Sequence, residues 1–309
     1  MTEISLDGRV AVVTGARRGL GKSHALELAR LGAAVVVNGT PDSPGLEQVA
    51  EEIVDAGGRA IAVRKDVTTR AGGKALVDAA LAEFGQLDVL VNNAGILRTG
   101  YFEELDDENI DDIFDIHLKS LFYTSQPAYV AMRKAGYGRI IFTGSNTAFG
   151  MYGLASYAAA KAGVMGLTSA LAMEGEPHGI LVNSVMPNAA TPAMENDPIP
   201  GFEQDQPFAD AFQALIDRFR TDLVSPLVGF LASAQCTSTG DSYSALAGRY
   251  ARVFYGLGKG WRAEGDQVTA DDIAANFDQI RAEDPFDAVR SARHEYQLVA
   301  EMAAEAGSR

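Results

Sequence analysis

Cysteine is almost absent from this 309-residue chain. Its one copy, Cys236, excludes an internal disulfide and fits a reducing cytoplasm. It reads as a small buried residue rather than as a nucleophile. Long apolar runs are missing as well, none reaching the roughly 18 residues that a membrane span needs. The opening residues, Met1-Thr2-Glu3-Ile4-Ser5-Leu6-Asp7, have neither the basic start nor the apolar run of a secretory signal. Positive charge is scarce: 26 Lys and Arg face 41 Asp and Glu, a formal net charge of −15. That argues against nucleic acid and anionic membrane surfaces as partners, while leaving room for an anionic small molecule in a local basic pocket. There is no internal repeat and no linker that would split off a second domain. At 47% hydrophobic residues, one large domain with a sizeable core is expected over 1–309.

What the chain does have is a recurring alternation. Arg9-Val10-Ala11-Val12-Val13-Thr14 is a short β-branched run between Gly8 and Gly15, the pattern of a buried parallel strand. Gly15-Ala16-Arg17-Arg18-Gly19-Leu20-Gly21 follows directly, then a helix over Lys22–Leu31 closed by Gly32. Strand, glycine turn and helix set backbone N–H groups and a helix N-terminus against a phosphate. Further strands are predicted at 33–38, 60–63, 87–92, 139–143 and 180–185, with helices at 46–56, 73–84 and 106–133. Such alternation makes a doubly wound α/β, Rossmann-type parallel sheet with right-handed crossovers. From Pro187 to Pro207 the texture changes, with Pro192, Pro198, Pro200, several acids and no periodicity. Coming after a strand's carboxyl end, this stretch suggests a substrate lid at about 188–222. Helices are expected at 208–219 and 222–232, followed by a C-terminal extension at about 237–309 with helices at 271–282 and 286–304.

The chemistry centres on Ser156-Tyr157-Ala158-Ala159-Ala160-Lys161. The alanines favour a helix, expected to run to about Glu174, and on a helix positions i and i+4 share a face. A Lys ammonium beside a Tyr favours the phenolate, and a phenol so tuned exchanges protons with an alcohol or carbonyl. Taken alone, the pair is no more than a surface Tyr and a solvated Lys at a chance spacing. The rest of the chain changes that weighting.

Thr14 to Gly21, Asp66-Val67, Asn92-Asn93-Ala94-Gly95, the Tyr157 and Lys161 pair, and Asn183 with Pro187 stand in one order over about the first 195 residues. Together they resemble the short-chain dehydrogenase/reductase family. Within it, Val35 to Asn38, Asn92 to Arg98, His117-Leu118, Tyr137 to Ile141, Pro187-Asn188-Ala189 and the tail beyond Ser225 to Val228 are most similar to the (3R)-hydroxyacyl-CoA dehydrogenase unit of peroxisomal-type multifunctional β-oxidation enzymes. The chain carries no C-terminal Ser-Lys-Leu signal. The resemblance implies that Tyr157 is the general acid/base and that Lys161 lowers its pKa and binds the nicotinamide ribose. It implies that Ser145 holds the substrate oxygen. The usual spacing to the Tyr lands on Gly144, so a one-residue deletion in 146–152 is needed, with Thr143 as the fallback. His117 fills a proton-relay position that usually holds Asn, either as a packed histidine with a backbone role or as a titrating one.

For the cofactor, the resemblance implies Gly15, Gly19, Leu20 and Gly21 against the pyrophosphate and Asp66 and Val67 at the adenine. Asn93, Ala94 and Gly95 would wall the adenosine, and Pro187, Asn188 and Thr191 would cover the nicotinamide. Asn92 is expected to brace strands. NAD users carry an acid at the end of the second strand, whereas here Asn38 is followed by Gly39 and Thr40. With Arg18 in the glycine turn and Arg17 beside it, NADP(H) is favoured and NAD(H) remains open. The expected function is hydride transfer between the nicotinamide and a secondary alcohol or ketone, a 3-hydroxyacyl thioester among the candidates. A dinucleotide-binding regulator or assembly subunit without turnover is the alternative, and it has no use for an activated phenol. No metal is implied. A homodimer or homotetramer is expected through 106–133 and the Tyr157 helix, where Val164, Leu167 and Leu171 form an apolar stripe that serves either core or partner.

Overall fold

The structure is a computed structural model that describes residues 3–189, 205–263 and 267–307. It falls into two compact units, Met1–Arg252 and Val253–Arg309. In the first, β1 (Val10–Val13) leads into α1 (Gly19–Arg30), β2 (Ala34–Gly39), α2 (Leu46–Asp55), β3 (Arg59–Arg64), α3 (Arg70–Phe84) and β4 (Val89–Asn92). Then come α4 (Asp107–Phe114), α5 (Ser120–Ala135), β5 (Gly138–Thr143), α6 (Ala155–Gly175), β6 (Ile180–Asn188), α7 (Gln206–Leu215), α8 (Ser225–Ala232), β7 (Ser242–Leu246) and β8 (Arg249–Val253).

The strands order as β3-β2-β1-β4-β5-β6-β7-β8, and every pairing from β3 to β7 is parallel. Strands of Val, Ile and Leu can sit inside such a sheet because both faces are covered. Alternate residues face alternate sides: Val13, Val35, Val37 and Val91 pack with Ala25 and Leu28 of α1, while Val12, Val36 and Leu90 pack with Leu76 of α3 and Val164 of α6. Each fully buried side chain of this size contributes roughly 1.5–3 kcal/mol. Strand order reverses direction between β1 and β4, and the crevice at the carboxyl ends there is where such sheets hold ligands.

Several expectations change. The 106–133 helix is interrupted: α4 ends at Phe114, and Asp115–Lys119 is a single π-helical turn with His117 at its centre. β6 runs on to Asn188, where Pro187 and Asn188 lie opposite Ala245 and Leu246 of β7. The start of the expected extension therefore adds β7 to the sheet, next to β8. Of the expected lid, 190–204 with Thr191 lies outside the described residues, and 206–215 is α7. Val164 is fully buried, and Leu167 and Leu171 pack against the same core cluster, so that stripe is core.

In the second unit, β9 (Tyr255–Gly258) pairs antiparallel with β10 (Phe286–Val289). Short helices α9 (Ala270–Ala275) and α10 (Phe277–Ile280) replace the single helix expected at 271–282. The expected 286–304 helix begins only at α11 (Ala292–Gly307), because its first residues form β10.

One buried contact contributes to the acid stability of the first unit. His24 of α1 is 2% exposed, and its Nδ1 lies 2.8 Å from Ser225 Oγ at the start of α8. Burial pushes the imidazole down to about 3. Below pH 6.5 the unfolded chain takes up a proton that folded His24 refuses until about pH 3. Stability is therefore full above 6.5 and falls across that window, by on the order of 5 kcal/mol from this group. His24→Gln, which keeps a hydrogen-bonding side chain that does not titrate, is expected to flatten most of that fall in urea unfolding from pH 7 to 4. Parallel pH profiles for the variant and the parent would exclude this assignment.

Candidate active site

At the carboxyl ends of β1, β4, β5 and β6 lies a cleft of about 490 Å³. Its catalytic end is built by α6. Ser156 Oγ donates to Asn109 Oδ1 at 2.8 Å, and Asp106 caps α4 by accepting from Asn109 N, so α4 and the base of α6 are tied together. One turn of helix then separates Tyr157 from Lys161, and both line the cleft. Lys161 Nζ donates to the Thr143 carbonyl at the end of β5 at 2.6 Å and lies 5.5 Å from the centre of the Tyr157 ring. Ser145 stands two residues past β5 and caps the short turn Asn146–Phe149. Thr147 N donates to its Oγ at 3.1 Å, and Ser145 Oγ in turn donates to Thr147 Oγ1 at 2.9 Å. Thr143 thus offers its backbone oxygen to Lys161, while Ser145 offers its hydroxyl to the cleft.

Burial acts on both groups in this cleft. Burial pushes Tyr157 up to about 12, against which a hydrogen bond with Ser145 pulls downward. The same enclosure pushes Lys161 down to about 7. Desolvation, which penalises the charged form of each group, is the first cause of both shifts.

His117 is 4% exposed and sets its ring edge-on to Tyr157, with centroids 4.9 Å apart. Its Nε2 lies 2.7 Å from the Ile96 carbonyl and 3.3 Å from the Ile96 N–H, while its buried Nδ1 has no hydrogen-bond partner among the described residues. Burial and the neighbouring Lys161 hold its pKa well below the ordinary value, so the ring is neutral. A Cβ on Gly95 would lie 2.5 Å from His117 Cε1. Gly95 is therefore required for the imidazole to fit, a reason independent of any ligand.

The other end of the cleft is lined by Gly15, Arg17, Arg18, Gly19, Leu20 and Gly21 of the glycine turn, and by Asp66 and Val67 beyond β3. Gly15 and Gly19 have φ of 62° and 56°, which only glycine adopts without cost, and a Cβ on Gly15 would meet Ala94 Cα at 2.8 Å. Asn93 spends its amide on Thr14 O and Gly15 O, and Asn92 joins β4 to α5 through Thr124 and Ser125. Asp66 Oδ1 accepts from Thr68 N and Oγ1. Asn38 is 1% exposed and works as a backbone clamp, so its expected contact with cofactor is at most an edge of the cleft wall.

A dinucleotide fits this lining. The first turn of α1 has no side-chain cap and no acid, so its amides open toward the cleft. At the far end, buried Asn188 Oδ1 lacks a hydrogen-bond partner among the described residues, and a carboxamide N–H is the kind of donor it wants. The cleft is also lined by residues that sequence reading missed: Lys65, Thr147, Met151, Phe208 and Phe212. Of these, Phe208 and Phe212, four apart on α7, fall within the stretch expected to be a substrate lid.

The short chain dehydrogenase family model matches residues 9–199. The chain belongs to this family. As a member it is an NAD(P)-dependent oxidoreductase, and the idea of a binder without turnover loses its ground. The chain is 37% identical over 267 residues to the peroxisomal multifunctional enzyme type 2 of Drosophila melanogaster, a match covering 84% of this chain and 42% of that protein. The full-length structure of that enzyme superposes with a TM-score of 0.79 at 29% identity, over 97% of this chain and 50% of its own. This chain thus spans half or less of the multifunctional relative. A short chain dehydrogenase from Mycobacterium avium matches with a TM-score of 0.75 and 32% identity, over 92% of this chain and 99% of its own. One from Burkholderia cenocepacia in complex with NADP gives 0.69 and 32%, over 79% and 98%.

Proposed function

We propose that this family member interconverts a 3-hydroxyacyl thioester and its ketone with NADP(H) as the preferred cofactor. The observation that carries the reading is the grouping of Tyr157, Ser145 and Lys161 at one end of a cleft whose other end suits a dinucleotide. When bound, the nicotinamide supplies or accepts the hydride. Tyr157 donates its phenolic proton to the carbonyl oxygen in reduction and takes a proton from the alcohol in oxidation. Ser145, held by the Thr147 N–H, turns its one proton from Thr147 Oγ1 to that same oxygen when substrate binds. Lys161, poised near neutrality beside the Thr143 carbonyl, exchanges protons with solvent on behalf of the phenol. His117 packs against the phenol ring and braces the Ile96 backbone, which favours a positioning role over a titrating one.

Substrate class rests on the likeness to the multifunctional enzyme and on the wall of Ile96, Leu97, Met151, Leu154, Phe208 and Phe212, which suits an acyl chain. A panel of 3-ketoacyl thioesters and simple hydrophobic ketones, followed at the reduced-nicotinamide absorbance, tests both. Thioesters are expected to turn over fastest. Faster turnover of cyclic or terpenoid ketones would replace the substrate class, and no turnover of any member would remove the catalytic roles.

A homo-oligomer is part of the same reading. Phe122 and Val130 of α5 and Met173 of α6 are exposed at 43%, 69% and 45%, and Gly166 of α6 faces open space. Light scattering at micromolar concentration is expected to give a dimer or tetramer, and a monomer mass would refute it. The single buried Cys236 suits a reducing compartment such as the cytoplasm. Among the described residues no helix is long and apolar enough to cross a membrane.

A further inference from the structure

The adenosine end of the cleft holds a third cation, and the backbone fixes where it stands. Lys65 follows β3 directly. Its N–H donates to Gly39 O at 2.9 Å, and its own carbonyl accepts from Asn38 Nδ2 at 2.9 Å. These bonds carry the β2–β3 pairing, whose last register pair is Gly39 with Arg64, one residue further. Asn38 reinforces the junction by donating to Val63 O and accepting from Gly15 N, so one buried amide joins the glycine turn, the end of β2 and Lys65. The Lys65 side chain is exposed and lines the cleft, with no hydrogen bond or ion pair among the described residues.

Beside it, Gly39 occupies the place where an acid would receive an unphosphorylated ribose. A Cβ there would lie 2.8 Å from Ser43 Oγ and 2.9 Å from Ser43 Cβ, so the loop after β2 is packed down in a way that excludes a side chain. That loop instead presents hydroxyls, Thr40 Oγ1 lying 2.9 Å from Ser43 Oγ. A cation held by backbone bonds, a hydroxyl beside it and no carboxylate at Gly39 or Thr40 together suit a phosphomonoester. We propose that Lys65 is a specificity-determining residue that binds the 2′-phosphate of the cofactor's adenosine ribose together with Thr40, in addition to any contact from the glycine turn. This rests on the NADP(H) reading above. Lys supplies a point charge on a flexible stem, so an exposed site of this kind contributes moderately and is weakened by salt.

The test is direct binding of NADPH, NADH, 2′,5′-ADP and 5′-AMP to the parent, Lys65→Ala and Lys65→Arg. Lys65→Ala is expected to weaken NADPH and 2′,5′-ADP by about three- to tenfold. NADH and 5′-AMP should stay within about twofold, and Lys65→Arg should recover the loss. Raising the salt concentration should shrink the difference. If the parent itself binds NADH more tightly than NADPH, the cofactor reading falls and Lys65 falls with it. If the parent prefers NADPH but Lys65→Ala weakens all four ligands alike, or none, the role of Lys65 is overturned while the cofactor reading stands.

Discussion

Tyr157→Phe is expected to lower turnover by at least about 10²-fold, the low end for general acid–base catalysis, and to leave cofactor affinity nearly unchanged. The substitution removes only the hydroxyl, so the ring keeps its edge contact with His117 at 4.9 Å. The phenol's elevation to about 12 also gives the pH dependence a sign. Reduction of a ketone uses the protonated phenol, which persists throughout the neutral range, so the phenol itself adds no pH dependence to that direction from pH 6 to 9. Oxidation of an alcohol needs the phenolate, whose share grows tenfold per pH unit below its pKa, so that direction should climb. Lys161→Ala should lower turnover and weaken the cofactor, because it removes the ammonium expected on the nicotinamide ribose as well as the donor to the Thr143 carbonyl. Near-normal turnover by Tyr157→Phe would remove the phenol from the chemistry.

The half of the molecule that was legible in the sequence is the half in which local pattern and tertiary environment agree. Val10–Val13 and Val35–Val37 are buried on both faces, and an uninterrupted β-branched run has few other homes. The glycine turn announced itself because positive φ at Gly15 and Gly19 demands glycine. Tyr157, Lys161 and Ser145 meet in one cleft, and so do most of the residues expected around the dinucleotide. What escaped reading depends on neighbours remote in sequence. The π turn at His117 leaves no periodicity signal over five residues. Lys65 looks like an ordinary charged residue until its bond to Gly39 places it. Ser242–Leu246 and Phe286–Val289 are short, mixed in polarity and stabilised by their partners, so a strand there is not distinguishable from loop or helix. The burial that pushes Tyr157 up and Lys161 down is, unlike their spacing, invisible in a sequence.

Arg18→Ala is expected to remove most of a preference for NADP(H) that spans roughly ten- to hundredfold, the worth of a charge-assisted hydrogen bond of about 1.5–3 kcal/mol. Arg18 is the N-cap of α1, with extended backbone; it lines the cleft, and its guanidinium has no hydrogen bond or ion pair among the described residues. Arg17 lines the same cleft and is the residue that could compensate, which makes Arg17→Ala the necessary control. The reverse experiment has to respect the packing at Gly39. A single Gly39→Asp forces its Cβ within 3 Å of Ser43, and would confuse loss of structure with change of charge. Gly39→Asp with Ser43→Gly opens that space and sets a carboxylate against the site, repelling a 2′-phosphate and accepting from free ribose hydroxyls. This double variant is expected to bind NADH more tightly than NADPH. Titration of the parent, Arg18→Ala and the double variant with both cofactors decides the matter, and a parent that favours NADH would return Arg18 to the status of a solvated surface residue.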